Sequence, residues 1–127
     1  MILARVCLIV ALLFITWISL VPSPPEVSVM FWDKLNHFIS FFTLALLTYF
    51  SVSKNAALKN KLINNYMAYI LLLAYGISIE ILQWGFSSNL GQGKRYFELM
   101  DIVADGVGII AFVLVLSITQ KLLKKAT

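Results

Sequence analysis

Four long apolar runs divide this chain and leave little room for any other kind of structure. They cover about residues 2–21, 36–52, 66–86 and 102–118. A helix needs roughly 20 residues to cross the hydrocarbon core of a bilayer, and it satisfies its own backbone hydrogen bonds there. The runs therefore predict an all-α membrane protein that folds as a four-helix transmembrane bundle.

The composition agrees with a membrane location. Hydrophobic residues make up 61% of the 127 residues and charged residues 13%, whereas about a quarter of the residues in a soluble domain are charged. One small bundle accounts for this length, so we expect a single transmembrane domain over residues 1–127. Cys7, the one cysteine, lies in the first apolar run, so the chain offers neither a disulfide nor a cysteine metal cluster.

The first apolar run is open to two interpretations. It ends at the sequence PSPP at residues 22–25, which cannot continue a helix. A cleaved signal peptide has an apolar core of about 7 to 15 residues followed by a small-residue cleavage site. This run is longer and no clean site of that kind follows it. We therefore expect a first spanning helix, with a signal peptide as the alternative.

Basic residues set the expected orientation. Under four alternating spans, seven of the 10 basic residues fall on one side: Arg5, Lys54, Lys59, Lys61, Lys121, Lys124 and Lys125. The positive-inside rule makes that side cytoplasmic. We expect a multi-pass protein of the cell (inner or cytoplasmic) membrane with both termini inside (N-in/C-in). The net charge of +4 then reflects topology, and we expect no nucleic-acid partner.

Ionisable residues interrupt the apolar runs near the expected outer face. Glu80 lies about 9 Å before the end of the third run, and Asp105 lies about 6 Å beyond Asp101 along the fourth, at 1.5 Å per residue. A charge at the bilayer centre costs roughly 2.5 to 3.5 kcal/mol on insertion scales, so such groups usually have a partner or a function. Glu80 and Asp105 are therefore the first candidates for a functional site.

Three helix ends present polar faces at this level. The residues are Asp33, Lys34 and His37 on the second helix, Gly76, Glu80 and Gln83 on the third, and Glu98, Asp101 and Asp105 on the fourth if that helix starts early. Small residues at positions 76, 104, 108 and 111 allow helices to approach closely in lipid. We predict that the polar faces converge in one pocket.

Several acidic groups in one pocket need a compensating charge. Arg95 in the connection before the fourth helix is the best candidate, because a guanidinium can contact two oxygens of a carboxylate or a phosphate at once. Lys94, Lys34, a protonated His37, protonation of one acid and a metal ion are the alternatives.

Four features occur in a fixed order along the chain. They are DKLNHF at residues 33–38, GISIEILQ at 76–83, the arginine at 95 and DIVADGVG at 101–108. Together they resemble the signature of the VanZ-like membrane protein family, over about residues 30–115. By this resemblance the family's characteristic polar positions are Asp33, His37, Glu80, Gln83, Arg95 and Asp101. Asp105 stands where the family often has asparagine. The resemblance implies a small helical membrane protein, linked in one member to teicoplanin tolerance, and no known reaction.

Three classes of function fit this pattern. The class we favour is binding or handling of an anionic lipid or a lipid-linked cell-envelope saccharide, with these predicted contacts: Asp33, His37, Glu80, Gln83, Lys94, Arg95, Asp101 and Asp105. The second is an intramembrane hydrolase or transferase with His37, Glu80 or Asp101 as general acid or base. The third is an accessory subunit whose polar network is structural and whose partner is another membrane protein or a second copy of the chain.

We expect no cofactor. One histidine and several carboxylates can ligate a divalent metal such as zinc, calcium or magnesium. The sequence has neither HExxH spacing nor three histidines, so the signal for a metal is weak.

Overall fold

The computed structural model describes residues 2–21, 30–51, 58–89 and 97–126, and all of its secondary structure is helical. The helices are α1 (Ile2–Leu20), α2 (Met30–Ser51), α3 (Leu58–Asn89) and α4 (Leu99–Ala126). The prediction of an all-helical fold is confirmed for these residues.

Three of the helices are longer than the apolar runs that predicted them. The bounds of α1 nearly coincide with its run, but α2 begins at Met30, α3 at Leu58 and α4 extends to Ala126, where the runs were 36–52, 66–86 and 102–118. Polar residues such as Lys124 and Lys125 can continue a helix outside the hydrocarbon. Hydropathy therefore marks the part of a helix that suits lipid, and the helix itself ends elsewhere.

Three helices are long and apolar enough to cross a membrane, over Ile2–Leu20, Asn65–Phe86 and Leu99–Lys125. Among the described residues α2 does not reach the same hydropathy. Its first eight residues include Asp33, Lys34, Asn36 and His37. The chain is thus a helical protein with three helices suited to a membrane, and the remaining helix, α2, contacts each of these three.

The hydrophobic core lies between α2, α3 and α4. Its buried members are Phe41, Leu44, Ala45, Tyr69, Leu72, Ile109 and Phe112. The Phe112 ring packs edge-on against Phe42 with centroids 5.7 Å apart. None of the residues of α1 is buried, so α1 lies at the edge of this core.

Hydrogen bonds attach α1 to its neighbours. The Tyr75 hydroxyl on α3 donates to the carbonyl of Leu12 at 2.8 Å and lies 2.8 Å from Oγ1 of Thr16. Near the other end of α1, Nε of Arg5 donates to the Ser51 carbonyl at the end of α2, at 3.2 Å. Hydrogen bonds therefore supplement the apolar contacts of α1 with its neighbours.

Gly108 lets α4 touch the backbone of α2. A Cβ atom at this position would lie 2.5 Å from the carbonyl oxygen of Phe38 and 3.1 Å from the backbone nitrogen of Phe42. Because no side chain fits there, the two helices meet backbone to backbone. This contact brings the first turns of α2 and α4 together.

Candidate functional site

One end of the bundle gathers the described acidic residues, and we call it the polar end. It comprises Asp33, Lys34 and His37 on α2, Glu80 on α3, Glu98 just before α4, and Asp101 and Asp105 in the first two turns of α4. The structure thus brings together the three helix ends whose polar faces were predicted to converge. Lys94 and Arg95 lie outside the described residues.

Lys34 connects α2 to α4. Its Nζ atom donates hydrogen bonds to the carboxylates of Glu98 and Asp101 and lies 3.9 Å from Oδ2 of Asp33. Burial alone lowers the pKa of Lys34, but the bonds to Asp101 and Glu98 outweigh burial, and the pKa lies above its usual value. Lys34 is therefore a cation. Among the described residues it supplies the positive charge that balances the acids, a role for which the sequence made Arg95 the best candidate.

His37 lies between two aspartates of α4. Its Nδ1 atom is 2.9 Å from Oδ1 of Asp105, and its Nε2 atom is 3.9 Å from Oδ2 of Asp101. The Asp105 side chain is 0% exposed, and its Oδ2 atom has no hydrogen-bond partner in the described part of the chain. When Asp105 is ionised it can only accept, so Nδ1 carries a proton; Nε2 then has a lone pair if the ring is neutral and a second proton if the ring is charged.

Glu80 connects the end of α3 to the start of α4. It is 2% exposed, and its Oε2 atom accepts a hydrogen bond from the backbone N–H of Glu98 at 3.2 Å. A carboxylate at a helix N-terminus satisfies a free N–H group and faces the positive end of the helix dipole. Within the described residues the other oxygen, Oε1, has no partner.

Gln83 does not join the carboxylates, although it shares α3 with Glu80. Its Nε2 atom donates to the backbone carbonyl of Ser19 at the end of α1, at 2.9 Å. The sequence placed Gln83 on the face of Gly76 and Glu80, but it did not indicate that α1 packs beside that face. Gln83 therefore lies on the α1 side of the site.

A cavity of about 340 Å³ lies between α1, α2 and α3. Its apolar lining comes from Phe14, Ile15, Ile18, Phe41, Gly76 and Ile79, and its polar lining from Ser19, Asp33, Asn36, His37, Ser40, Gln83 and Asp105. A Cβ atom at Gly76 would meet the Asp105 carboxylate and the Phe41 ring. Because Gly76 has no side chain, the Asp105 carboxylate and the Phe41 ring can pack directly against the backbone of α3.

Sequence reasoning missed Asn36 and Ser40, which also line the cavity. The signal was present, since Asp33, Asn36, His37 and Ser40 follow the i, i+3, i+4, i+7 spacing of one helix face. The part of α1 in the wall left no such signal, because the apolar residues of α1 look alike on every face.

The lining indicates which chemistry the cavity can recognise. Its described ionisable side chains are Asp33, His37 and Asp105, and no described lysine or arginine is among them. Carboxylates accept hydrogen bonds from hydroxyl and amine groups, while the apolar side chains of the lining suit a hydrocarbon chain. Asp33, His37 and Asp101 also offer one ligand atom each within 4.8 Å of one another, which makes them the described residues that can share a metal ion.

Comparison with known proteins gives no relative from which a function could be transferred. No protein-family model, no curated protein and no solved structure matches the chain. The resemblance to the VanZ-like family therefore stays a prediction from the residues quoted above.

Proposed function

We propose that this chain is a VanZ-like protein of the cytoplasmic membrane that binds the head group of an anionic lipid or lipid-linked cell-envelope saccharide from the outer leaflet. The observation that carries the proposal is the cavity of about 340 Å³, which both apolar and polar side chains line. An amphipathic ligand needs both surfaces, and ligand sites in proteins commonly pair an apolar wall with a few polar groups.

The proposed topology has four spans, with α2 as the second and both termini in the cytoplasm. Charge segregation supports it. Arg5 contacts the end of α2 at Ser51, and exposed Lys121, Lys124 and Lys125 end α4, while the described acidic residues lie at the polar end. The positive-inside rule then favours an outer location for the polar end and its cavity.

The proposed head group has two kinds of contact. Asp33, Asp105 and Gln83 suit the hydroxyl or amine groups of a sugar or alcohol. Arg95 and Lys94 suit the phosphate, because they belong to the connection between α3 and α4, both of which end or begin at the polar end. Arg95 is the better phosphate ligand, since its planar guanidinium can contact two oxygens at once.

Lipid retention by purified protein tests the cavity. Ser40→Leu adds bulk to the polar lining, and we expect it to reduce the amount of co-purifying lipid. Ser117→Leu makes the same change at an exposed position of α4 and should leave bound lipid unchanged. Equal lipid retention in the two folded variants would contradict a ligand in this cavity.

Arg95→Lys tests the phosphate contact, because it keeps the charge and loses the paired geometry. We expect weaker lipid retention, about tenfold for each 1.4 kcal/mol lost, with an unchanged melting temperature. Arg5→Lys at the other end of the bundle is the matched control. If Arg95 only neutralises acids, Arg95→Lys leaves lipid retention unchanged, and a folded Arg95→Ala variant with full lipid retention would end the phosphate assignment.

An intramembrane hydrolase or transferase is the second candidate, favoured by the contact between His37 and Asp105. A buried carboxylate 2.9 Å from Nδ1 orients the ring and leaves Nε2 to act as a general base or acid. Head-group release from added phospholipid that is lost in His37→Gln, while lipid retention persists, would favour catalysis over binding. No release by the unchanged protein would favour binding.

A further inference from the structure

We infer that the polar end binds one divalent transition-metal ion, Zn²⁺ or Mn²⁺, through Asp33, His37 and Asp101. Each of these side chains offers one ligand atom, and the three atoms lie within 4.8 Å of one another. The inference goes beyond the proposed lipid function and does not depend on it, because metal binding can be measured without lipid.

The backbone brings the three ligands to one place. Asp33 and His37 are four residues apart on α2 and therefore share a face of that helix. Asp101 reaches them from the first turn of α4. The Asp33 side chain is 54% exposed, so it can turn toward an ion. The ligand atoms around a Zn²⁺ ion lie about 3 to 4 Å apart. The three ligand atoms would therefore need to move only slightly closer together to bind the ion.

Asp105 is an independent sign of a metal ligand at His37. Histidines that bind metals usually donate the other ring N–H to a carboxylate, which fixes the ring orientation. Oδ1 of Asp105 occupies this position, 2.9 Å from Nδ1, and the carboxylate is fully buried. The other ring nitrogen, Nε2, faces Oδ2 of Asp101 at 3.9 Å. The two atoms that would bind the ion thus already face each other.

The charge balance of the polar end also favours a divalent cation. Five carboxylates face one lysine and one histidine among the described residues of this end. Two buried carboxylate oxygens, Oδ2 of Asp105 and Oε1 of Glu80, have no hydrogen-bond partner in the described ranges. Lys34 donates a hydrogen bond to Oδ1 of Asp101, so Oδ2 of Asp101 is the oxygen that would bind the ion. A divalent ion would supply positive charge where these buried acids need it.

The ligand set indicates which ions fit. Imidazole suits zinc and other transition metals, whereas magnesium prefers oxygen ligands and keeps several waters. Three protein ligands leave at least one coordination position open. Asp33 and His37 both line the cavity, so an ion held by them would be reached from the cavity, and a water or a phosphate oxygen of a head group could take the open position.

Calorimetric titration of the full chain, purified in detergent and stripped of metal with a chelator, tests the inference. We expect one Zn²⁺ or Mn²⁺ per chain, with Mg²⁺ at least about tenfold weaker. Asp33→Asn is the decisive variant, because an exposed carboxylate is not needed for folding. It should weaken binding at least about tenfold, and His37→Gln should do the same.

Glu98→Gln is the matched control, since it removes a carboxylate of the same cluster that is not a ligand. We expect its metal affinity to stay within about threefold of the unchanged protein. Equal losses of metal affinity in Asp33→Asn and Glu98→Gln would show that the acidic cluster attracts cations without a defined site, and would overturn the proposal. The absence of one-to-one binding would also overturn it. Metal should raise the melting temperature of the unchanged protein and not of Asp33→Asn.

The two proposals fail separately. Loss of one-to-one metal binding with lipid retention intact overturns the metal site alone. Metal binding that depends on Asp33, in a protein that retains no lipid, supports the metal site and overturns the lipid proposal.

Discussion

The Nδ1 atom of His37 on α2 lies 2.9 Å from Oδ1 of Asp105 on α4. The contact joins a half-buried ring to a fully buried carboxylate, next to Gly108, where the backbones of the same two helices meet. The pair therefore belongs both to the packing of α2 on α4 and to the lining of the cavity.

Asp105 substitutions separate the hydrogen bond from the negative charge. Asp105→Asn keeps an acceptor for His37, whereas Asp105→Ala leaves the ring N–H without its partner. We expect Asp105→Ala to lower the free energy of unfolding by about 1–3 kcal/mol and Asp105→Asn by clearly less. Thermal unfolding in detergent measures the difference, and equal losses in the two variants would show that the charge itself is needed.

Lys34 is expected to stabilise the contact between α2 and α4. Lys34→Met leaves Asp101, whose side chain is 7% exposed, without its cation. The expected loss is about 1–3 kcal/mol, between the values for surface and buried ion pairs. Lys34→Arg should lose less because it keeps the charge. Lys121→Met, exposed at the opposite end, should have no effect, and added Zn²⁺ should restore part of the stability of Lys34→Met.

Gly108 and Gly106 form a matched pair on α4. Gly108→Ala forces α4 away from the backbone of α2, and we expect a loss of about 1–3 kcal/mol. A Cβ at Gly106 would lie 3.9 Å from Cδ1 of Leu73, an ordinary contact. Gly106→Ala should therefore be neutral or stabilising by up to about 1 kcal/mol, because alanine favours a helix. Similar melting temperatures for the two variants would contradict close packing at Gly108.

Reporter fusions test the proposed four-span topology. Fusions after Lys61 and after Lys125 should report a cytoplasmic location, and a fusion after Gln92 an external one, because basic residues favour the cytoplasmic side. A reporter active outside when fused after Lys125 would overturn the orientation.

The apolar runs predicted the existence of the four helices but not all of their ends. Lys59 and Lys61 were expected in a loop, yet they follow Leu58, where α3 begins. Asn65 was placed in the same loop, and it is a buried residue of α3. Hydropathy does not distinguish a polar loop from a polar turn of helix, because both suit water equally well.

The sequence predicted which residues lie at the polar end better than it predicted which of them form hydrogen bonds or ion pairs with one another. Depth and helix periodicity brought Glu80 and Asp105 to one level. The individual contacts depend on how each helix is rotated about its axis and on how far each side chain extends. Residue spacing in the sequence determines neither of these. For this reason the contact of Lys34 with Glu98 and that of Gln83 with α1 could not be predicted.

The position of α1 has a consequence for how long the proposed ligand would stay bound. Phe14, Ile15 and Ile18 of α1 form one wall of the cavity, yet α1 has no buried residue. Each hydrogen bond between membrane helices contributes on average only about 0.6 kcal/mol, so parting α1 from α3 at Tyr75 and Gln83 costs less free energy than opening the core. If the cavity holds the proposed lipid, the contact between α1 and α3 governs its dissociation rate, and substitutions at Tyr75 would shorten its residence time without changing the polar end.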